Sequence, residues 1–447
     1  MNQKWLRRMA VPIIVTCVGL ANCSGNTTTT EGPTTAFAVV RLTTTGGPDN
    51  SFGGGDGIVT TDPDPALFDF ALAVAIQSDN KILVGGSTGL AGQGSIALAR
   101  YNPDGTLDTS FNAAGTQPGI VKTPLPSLAS SATAIAVQPD GKILVAALTF
   151  TAVSGTTATT GIALLRYKTD GTLDTTGFGT GGMVTAAIGP GTTSDTCALA
   201  LQGTNIVVAG ASSNGNVLLY RYTTSGVLDI TFGPNNTGVT TTNLGMPAFS
   251  PAIALQTDNK IVVAGGKGSF STSNQPVDQV VLRYTADGTL DTTFGGTGIV
   301  STDINSLGNF GNAVAIQVDG KIVVAGHANV NFAADASDIS LVRYLTDGTL
   351  DTGFGAGTGI AIATLVGFDN ALSVALQADG KIVVSGNTGS GGFTQTVVLR
   401  YNPNGTADTT FGFQGLVVPP LVGPSNISSG NAVFVQSDGK IVVAGYD

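Results

Sequence analysis

The sequence is nearly without the side chains on which most enzymes rely. His327 is its only histidine, Glu31 its only glutamate and Trp5 its only tryptophan. One imidazole cannot build a His-rich metal site, and a Ser-His-Asp or Cys-His arrangement would have to use His327. That residue follows "IVVAG" at the end of a strand and is expected on a surface loop. Paired carboxylates of the glycosidase kind would have to come from aspartates on different units, and no spacing supports such a pair. No Walker-type loop is present, and the Gly-x-Gly strings fall at strand ends of a glycine-rich chain, a weak basis for a nucleotide site. No cofactor is therefore expected.

Charge is also sparse, at 11% of residues, and its balance is −10. An acidic surface repels phosphate backbones, so nucleic acid is not an expected partner. Glu and Lys suit exposed helices, and no convincing amphipathic helix follows residue 30. Three cysteines, Cys17, Cys23 and Cys197, leave no disulfide framework. Cys197 lies at the start of an apolar strand and reads as a buried small residue rather than a reactive thiol.

What is present is Gly, Thr, Ser, Val and Ala, arranged as short apolar runs between Gly, Asn and Asp, which reads as all-β. The first 22 residues stand apart. Lys4, Arg7 and Arg8 precede a short apolar run, Met9 to Leu20, too short to span a bilayer, so residues 1–22 read as a signal peptide. Gly19-Leu20-Ala21 fits ordinary signal peptidase. "LANC" instead resembles a bacterial lipobox with Cys23 as the lipidated residue, although Asn22 stands where a smaller residue is usual. The chain is thus expected to be exported, either as an envelope lipoprotein at the outer membrane or cell surface, or as a secreted protein. Residues 23–35, rich in Thr, read as a flexible tether.

From residue 36 to 447 one phrase recurs. Its glutamine stands at Gln77, Gln138, Gln202, Gln256, Gln317, Gln377 and Gln436, about sixty residues apart. Two further anchors agree. One is an arginine in an apolar run, and the other is Phe52, Phe111, Phe178, Phe232, Phe294, Phe354 and Phe411. Each unit offers four short strands, a to d, with an Asp-Gly or Asp-Asn hairpin between a and b. The third unit departs, since "LQGTNIVVAG" lacks the Asp and the Lys. The chain begins with strands c and d and finishes with strands a and b, and together these make a seventh four-stranded sheet. A ring joins such ends, whereas a solenoid leaves them as raw edges. The expected fold is all-β: a seven-bladed β-propeller of four-stranded blades, one closed by both termini.

The phrases "AIQxDGKIVVAG" and "RYxxDGTLDTTFGxxGIV" resemble the delta-60 repeat, a β-propeller repeat found mainly in bacterial envelope and secreted proteins. The resemblance covers nearly the whole of residues 36–447 and implies a propeller fold. It implies no activity.

The cations follow the repeat. Arg41, Arg100, Arg166, Arg221, Arg283, Arg343 and Arg400 occupy one position, and six lysines another. Asp49, Asp108, Asp174, Asp229, Asp291, Asp351 and Asp408 recur in the c–d turns. A repeated Arg–Asp pair, within or between blades, is expected to fix that turn by a bidentate contact. Calcium is the rival use of these carboxylates, but it needs six to eight oxygens and the turn lacks the density of an EF-hand loop. No metal site is assigned.

Because strands alternate in direction, the a–b and c–d turns share one face and carry nearly constant words. The b–c and d–a loops on the other face carry the variation, and diverse loops on a rigid scaffold are where binding resides. Phe150, Phe270, Phe332 and Phe393 fall in four of these loops, as binding anchors or as caps of the blades. The expectation is a monomeric, non-catalytic binding scaffold for a protein or glycan at the cell surface. The alternatives are a polysaccharide hydrolase or lyase on the same scaffold, and a purely structural surface component.

Overall fold

A computed structural model describes residues 35–89, 94–125, 129–151, 159–190, 196–212, 214–268, 277–304, 308–331, 336–390, 393–421 and 428–447. It is a seven-bladed propeller of four-stranded antiparallel sheets. Blade 1 holds Asp69–Ile76, Ile82–Thr88, Ser95–Tyr101 and Ile120–Thr123 as its strands a, b, c and d, and blades 2 to 6 follow in chain order. Blade 7 takes a and b from Ser429–Val435 and Ile441–Tyr446, and c and d from Phe37–Leu42 and Ile58–Thr61. Its closure is the antiparallel register Phe37↔Tyr446 through Leu42↔Ile441.

The apolar words follow from position in this stack. Strands b and c lie in the middle of each blade with a neighbouring blade on either side, so both faces need apolar side chains. Ile82–Thr88 is buried at every residue, whereas Asp69–Ile76, an a strand, alternates between buried and half-buried. Strands a of neighbouring blades pack against one another, which places them innermost, around the axis. The core is not central. It is divided into interfaces, each made of two adjacent blades. One joins Leu144, Leu164 and Phe178 of blade 2 to Ile206, Val208 and Tyr222 of blade 3, and another joins Phe37 and Val39 of blade 7 to Ile82 and Tyr101 of blade 1.

The a–b hairpins use the turn chemistry the sequence offers. In blade 1 the Asn80 amide donates to the Gln77 carbonyl (2.9 Å) and Asn80 has φ +64°. Asp79 caps the Lys81 amide at 3.2 Å. This is a type I turn closed by a left-handed residue, which Gly or Asn adopts at low cost. The third unit, one residue shorter, pairs Gln202 with Asn205 directly around Gly203 (φ +61°). Strand a carries a bulge near its start in six blades, as at Gly311/Ala313 and Gly430/Ala432. Among the described residues no helix is long and apolar enough to cross a membrane.

Candidate functional site

The recurring charged residues are spent on contacts within each blade and, through the arginines, on the joints between blades. Every anchor arginine lies beside the aspartate eight positions on, in its own blade, with N–O distances of 2.6 to 2.8 Å. The pair is not the bidentate fork expected from the sequence. In most blades the arginine Nε meets one carboxylate oxygen, Oδ2, as for Arg100 and Asp108 at 2.7 Å. The turn lysine of the same blade shares that oxygen, as Lys81 does with Asp108 at 2.9 Å. The other oxygen, Oδ1, accepts from a hydroxyl two residues on, as from Ser110 at 2.6 Å. With the carboxylate thus divided, the arginine has a nitrogen left over.

That nitrogen, Nη1, reaches the next blade. Arg100 donates to the Thr169 carbonyl at 2.6 Å and Arg221 to that of Ala286 at 2.8 Å. Arg41, Arg166, Arg283 and Arg343 donate likewise to Pro103, Thr224, Thr346 and Pro403. Arg400 donates to Thr44, across the join of the two termini, and so completes a ring of seven links. Each guanidinium also lies over the repeated phenylalanine of its own blade, 4.4 to 4.8 Å from the ring centroid, a cation–π contact made more favourable by burial. The residue after that phenylalanine donates its amide to the next c–d turn, as Gly53 does to Asp104 at 3.0 Å. The glycine of that turn, Gly105, fits against the Phe52 ring so closely that a Cβ would lie 2.9 Å from it. In blade 3, Asn205 stands in for the missing lysine, 3.4 Å from Asp229.

The electrostatics match the geometry. Burial alone would raise the carboxyls of Asp49, Asp108 and Asp408. Hydrogen bonds from Ser51, Ser110 and Thr410 and from the turn lysines, together with the charge of each arginine, overcome it and hold them far below the usual range. Asp291 falls to about 2 by the same balance. Among the described residues no group of three or more His, Cys, Asp or Glu is placed to hold a metal ion.

At the opposite end of the blades the side chains differ from blade to blade. His327 is not on a surface loop. Strand b of blade 5 runs from Ile322 to Asn331, past the end of the repeated word, because its pairing continues against both neighbouring strands. His327 is therefore buried. It stacks on Phe310 (4.7 Å) and bonds through Nδ1 to Asn370 Oδ1 of blade 6 (2.9 Å). Phe150 and Phe393 are likewise strand residues rather than loop residues, in Ile143–Thr151 and Phe393–Tyr401, since the Thr-rich flanks extend the b–c hairpins. Phe393 is 61% exposed. Phe270, Phe332 and Cys23 lie outside the described residues. Cys197 is buried beside Thr133, and burial pushes its thiol up to about 12.

Two buried aspartates on this face are special. Asp69 accepts from the Asp64 amide at 3.2 Å and Asp369 from the Leu365 amide at 2.7 Å, each capping the loop that leads into its own strand a. Burial, with Asp62 nearby, raises Asp69 to about 7. Burial, with the charge of Asp338, raises Asp369 as well. Sequence reasoning singled out neither, because only two of the seven units carry an aspartate here.

Six segments, residues 77–111, 138–176, 256–294, 317–354, 377–411 and 436–447, match the model of a family described as a domain of unknown function (DUF5122) beta-propeller. No curated protein matches the chain. Among solved structures, a protein of unknown function from Dyadobacter fermentans DSM 18053 is 11% identical, with 92% of this chain and 97% of that one covered and a TM-score of 0.41. Sqt1 of Chaetomium thermophilum, bound to the N-terminus of the ribosomal protein L10, is 13% identical over 85% of this chain and 96% of that one, with a TM-score of 0.44. A PL25 ulvan lyase is 9% identical over 77% and 81%, with a TM-score of 0.43. Likenesses this distant carry no argument about function. The repeat units of this chain thus match a propeller repeat family whose function is unknown.

Proposed function

We propose that this chain is an exported, non-catalytic binding propeller of the delta-60 type, which takes a cell-surface protein or glycan on the b–c and d–a face. One observation carries the reading. The seven anchor arginines and their aspartates are committed to intra-blade and inter-blade contacts at one end of the ring, and side-chain variety is concentrated at the other. A constant end that holds the ring and a variable end that does not is the division expected of a scaffold with a recognition face. The hydrolase or lyase alternative would draw on Asp69 and Asp369, two of the raised carboxyls, but each is engaged in capping a loop.

Two experiments test this. For the address, palmitate labelling and membrane fractionation of wild type and Cys23→Ala should show label and membrane association that vanish in the variant. An unlabelled wild type found outside the cell would replace the lipoprotein by a secreted protein. For the face, a photo-cross-linking residue placed at 393 in the native host should capture a partner that the same residue at 318, in the a–b turn of blade 5, does not. Equal capture from both ends, or from 318 alone, would overturn the assignment of the face.

A further inference from the structure

The joints at the variable end change character around the ring. Each is made by a residue late in one blade's strand b and one early in the next blade's strand a. Between blades 7 and 1, Tyr446 meets Phe70 edge-on with centroids 5.0 Å apart. Between blades 4 and 5, Gly266 lies under Phe310, where a Cβ would come within 2.9 Å of the ring. Between blades 5 and 6 the contact is instead His327 with Asn370, and between 6 and 7 it is Asn387 with Ser429. Two consecutive joints have exchanged apolar packing for amides and hydroxyls.

The exchange is unfavourable as it stands. Asn370, Asn387 and Ser429 are 1%, 3% and 0% exposed. Asn370 Oδ1 accepts from both His327 Nδ1 (2.9 Å) and Asn312 Nδ2 (2.8 Å), while Asn370 Nδ2 has no partner. Asn387 Nδ2 donates to Ser429 Oγ (3.1 Å), which donates to Asn431 Oδ1 (2.8 Å), while Asn387 Oδ1 has no partner. A buried polar atom left unpaired bears its full desolvation penalty, whereas replacing both partners of a hydrogen bond by apolar groups of the same shape is nearly neutral. The neighbouring joints show that apolar residues fit this layer, so packing alone does not account for the amides.

The chemistry of the wedge selects its ligand. One orphan donor and one orphan acceptor call for groups that both accept and donate, as hydroxyls do. Burial lowers His327 to about 4, so at neutral pH it is uncharged like the amides around it. Asp369, next in chain to Asn370, and Asp338, in the strand paired with that of His327, disfavour an anion. Asn312 and Asn431 stand at the bulges of innermost strands and are half-buried, so the wedge meets solvent toward the axis through these two residues, whose Nδ2 groups also donate to the Ala371 and Ala71 carbonyls at 2.8 and 2.7 Å. We propose that His327, Asn312, Asn370, Asn387, Ser429 and Asn431 form a subsite for a neutral sugar residue of a glycan. This rests on the variable face being the recognition face, and it names the ligand class.

The test is isothermal titration of the full chain with uncharged maltotriose, cellotriose and chitotriose, and with trigalacturonate as the charged control. Wild type is compared with Asn370→Leu, Asn387→Leu and Asn370→Asp, the last keeping the shape but losing the orphan N–H. At least one neutral trisaccharide should bind saturably, and each folded wedge variant should bind it at least tenfold more weakly. Each variant is first shown to unfold cooperatively, so that a loss of binding is not a loss of fold. The subsite is overturned if no neutral sugar binds, if binding is unchanged in the variants, or if only trigalacturonate binds. A sugar-soaked crystal showing ordered water alone on Asn370 Nδ2 and Asn387 Oδ1 also overturns it. Capture of a protein from position 393 without any sugar binding would sink the subsite and keep the recognition face. Failure of both would sink both.

Discussion

An arginine that touches a carboxylate, an aromatic face and a carbonyl of the next blade has three jobs, and its removal undoes all three. Arg100→Ala would leave Asp108 buried with Lys81 as its one remaining cation, and breaking a buried pair from one side typically costs about 3–5 kcal/mol. Chemical denaturation should show a loss of that order, with a smaller loss for Lys81→Ala, whose ammonium is partly solvated. The carboxyls also set the pH response. Asp49, Asp108, Asp291 and Asp408 titrate lower in the fold than in the unfolded chain. Their stabilisation is therefore present above about pH 4 and lost as pH falls through the folded values. Asp69 runs the other way. Raised to about 7 by burial, it favours the fold when protonated, so its contribution is full below about pH 4 and disappears as pH rises through 7. Melting temperature should decline between pH 4 and 7, and Asp69→Asn should shrink that decline. It should not abolish it, because Asp369 and Asp447 are raised too. An unchanged slope in the variant would refute this role for Asp69.

At the scale of elements, the c–d turn works as a tenon. Gly105 (φ +91°) packs on Phe52 and the Gly53 amide of the preceding blade, whereas Gly54 (φ +81°) has nothing within 4 Å of an added Cβ. Both lose the freedom of a left-handed glycine on substitution, but only Gly105→Ala also collides with another blade. Gly105→Ala should lower stability by more than about 1 kcal/mol beyond Gly54→Ala, as read from denaturation midpoints. This tenon was only half legible in the sequence. The Arg, Asp and Phe positions were visible because each repeats as a side chain. The link to the next blade was not, because its acceptor is a backbone carbonyl, carried by Pro103 in one blade and Ala286 in another. The ends of strands were misread for a related reason. His327 and Phe150 lie beyond the repeated word, and pairing between strands continues where the word stops. The amide wedge was hidden altogether. Asn312 and Asn370 lie 58 positions apart in adjacent units, and neither residue recurs at its position around the whole ring.

At the scale of the molecule, the split blade is what the two ends of the sequence predicted, and it makes the ring depend on both termini at once. Lys440 reaches Asp49 at 3.1 Å within blade 7 and Arg400 of blade 6 reaches Thr44 of blade 7, so the two ends of the chain are held by the same contacts that bind each blade internally and to the next. Deleting residues 429–447 would strip Phe37–Leu42 of its inner partner and leave the blade 6 core open. The truncated chain should lose cooperative unfolding and aggregate, as followed by light scattering during a thermal ramp. The most direct test of the account is a set of seven single variants, Arg→Ala at 41, 100, 166, 221, 283, 343 and 400, each unfolded in urea. If these arginines are the joints of the ring, every variant will be destabilised by a few kcal/mol. An arginine whose removal leaves the unfolding midpoint unchanged would contradict the account, since that side chain would be free to serve a ligand at the end of the ring assigned here to architecture.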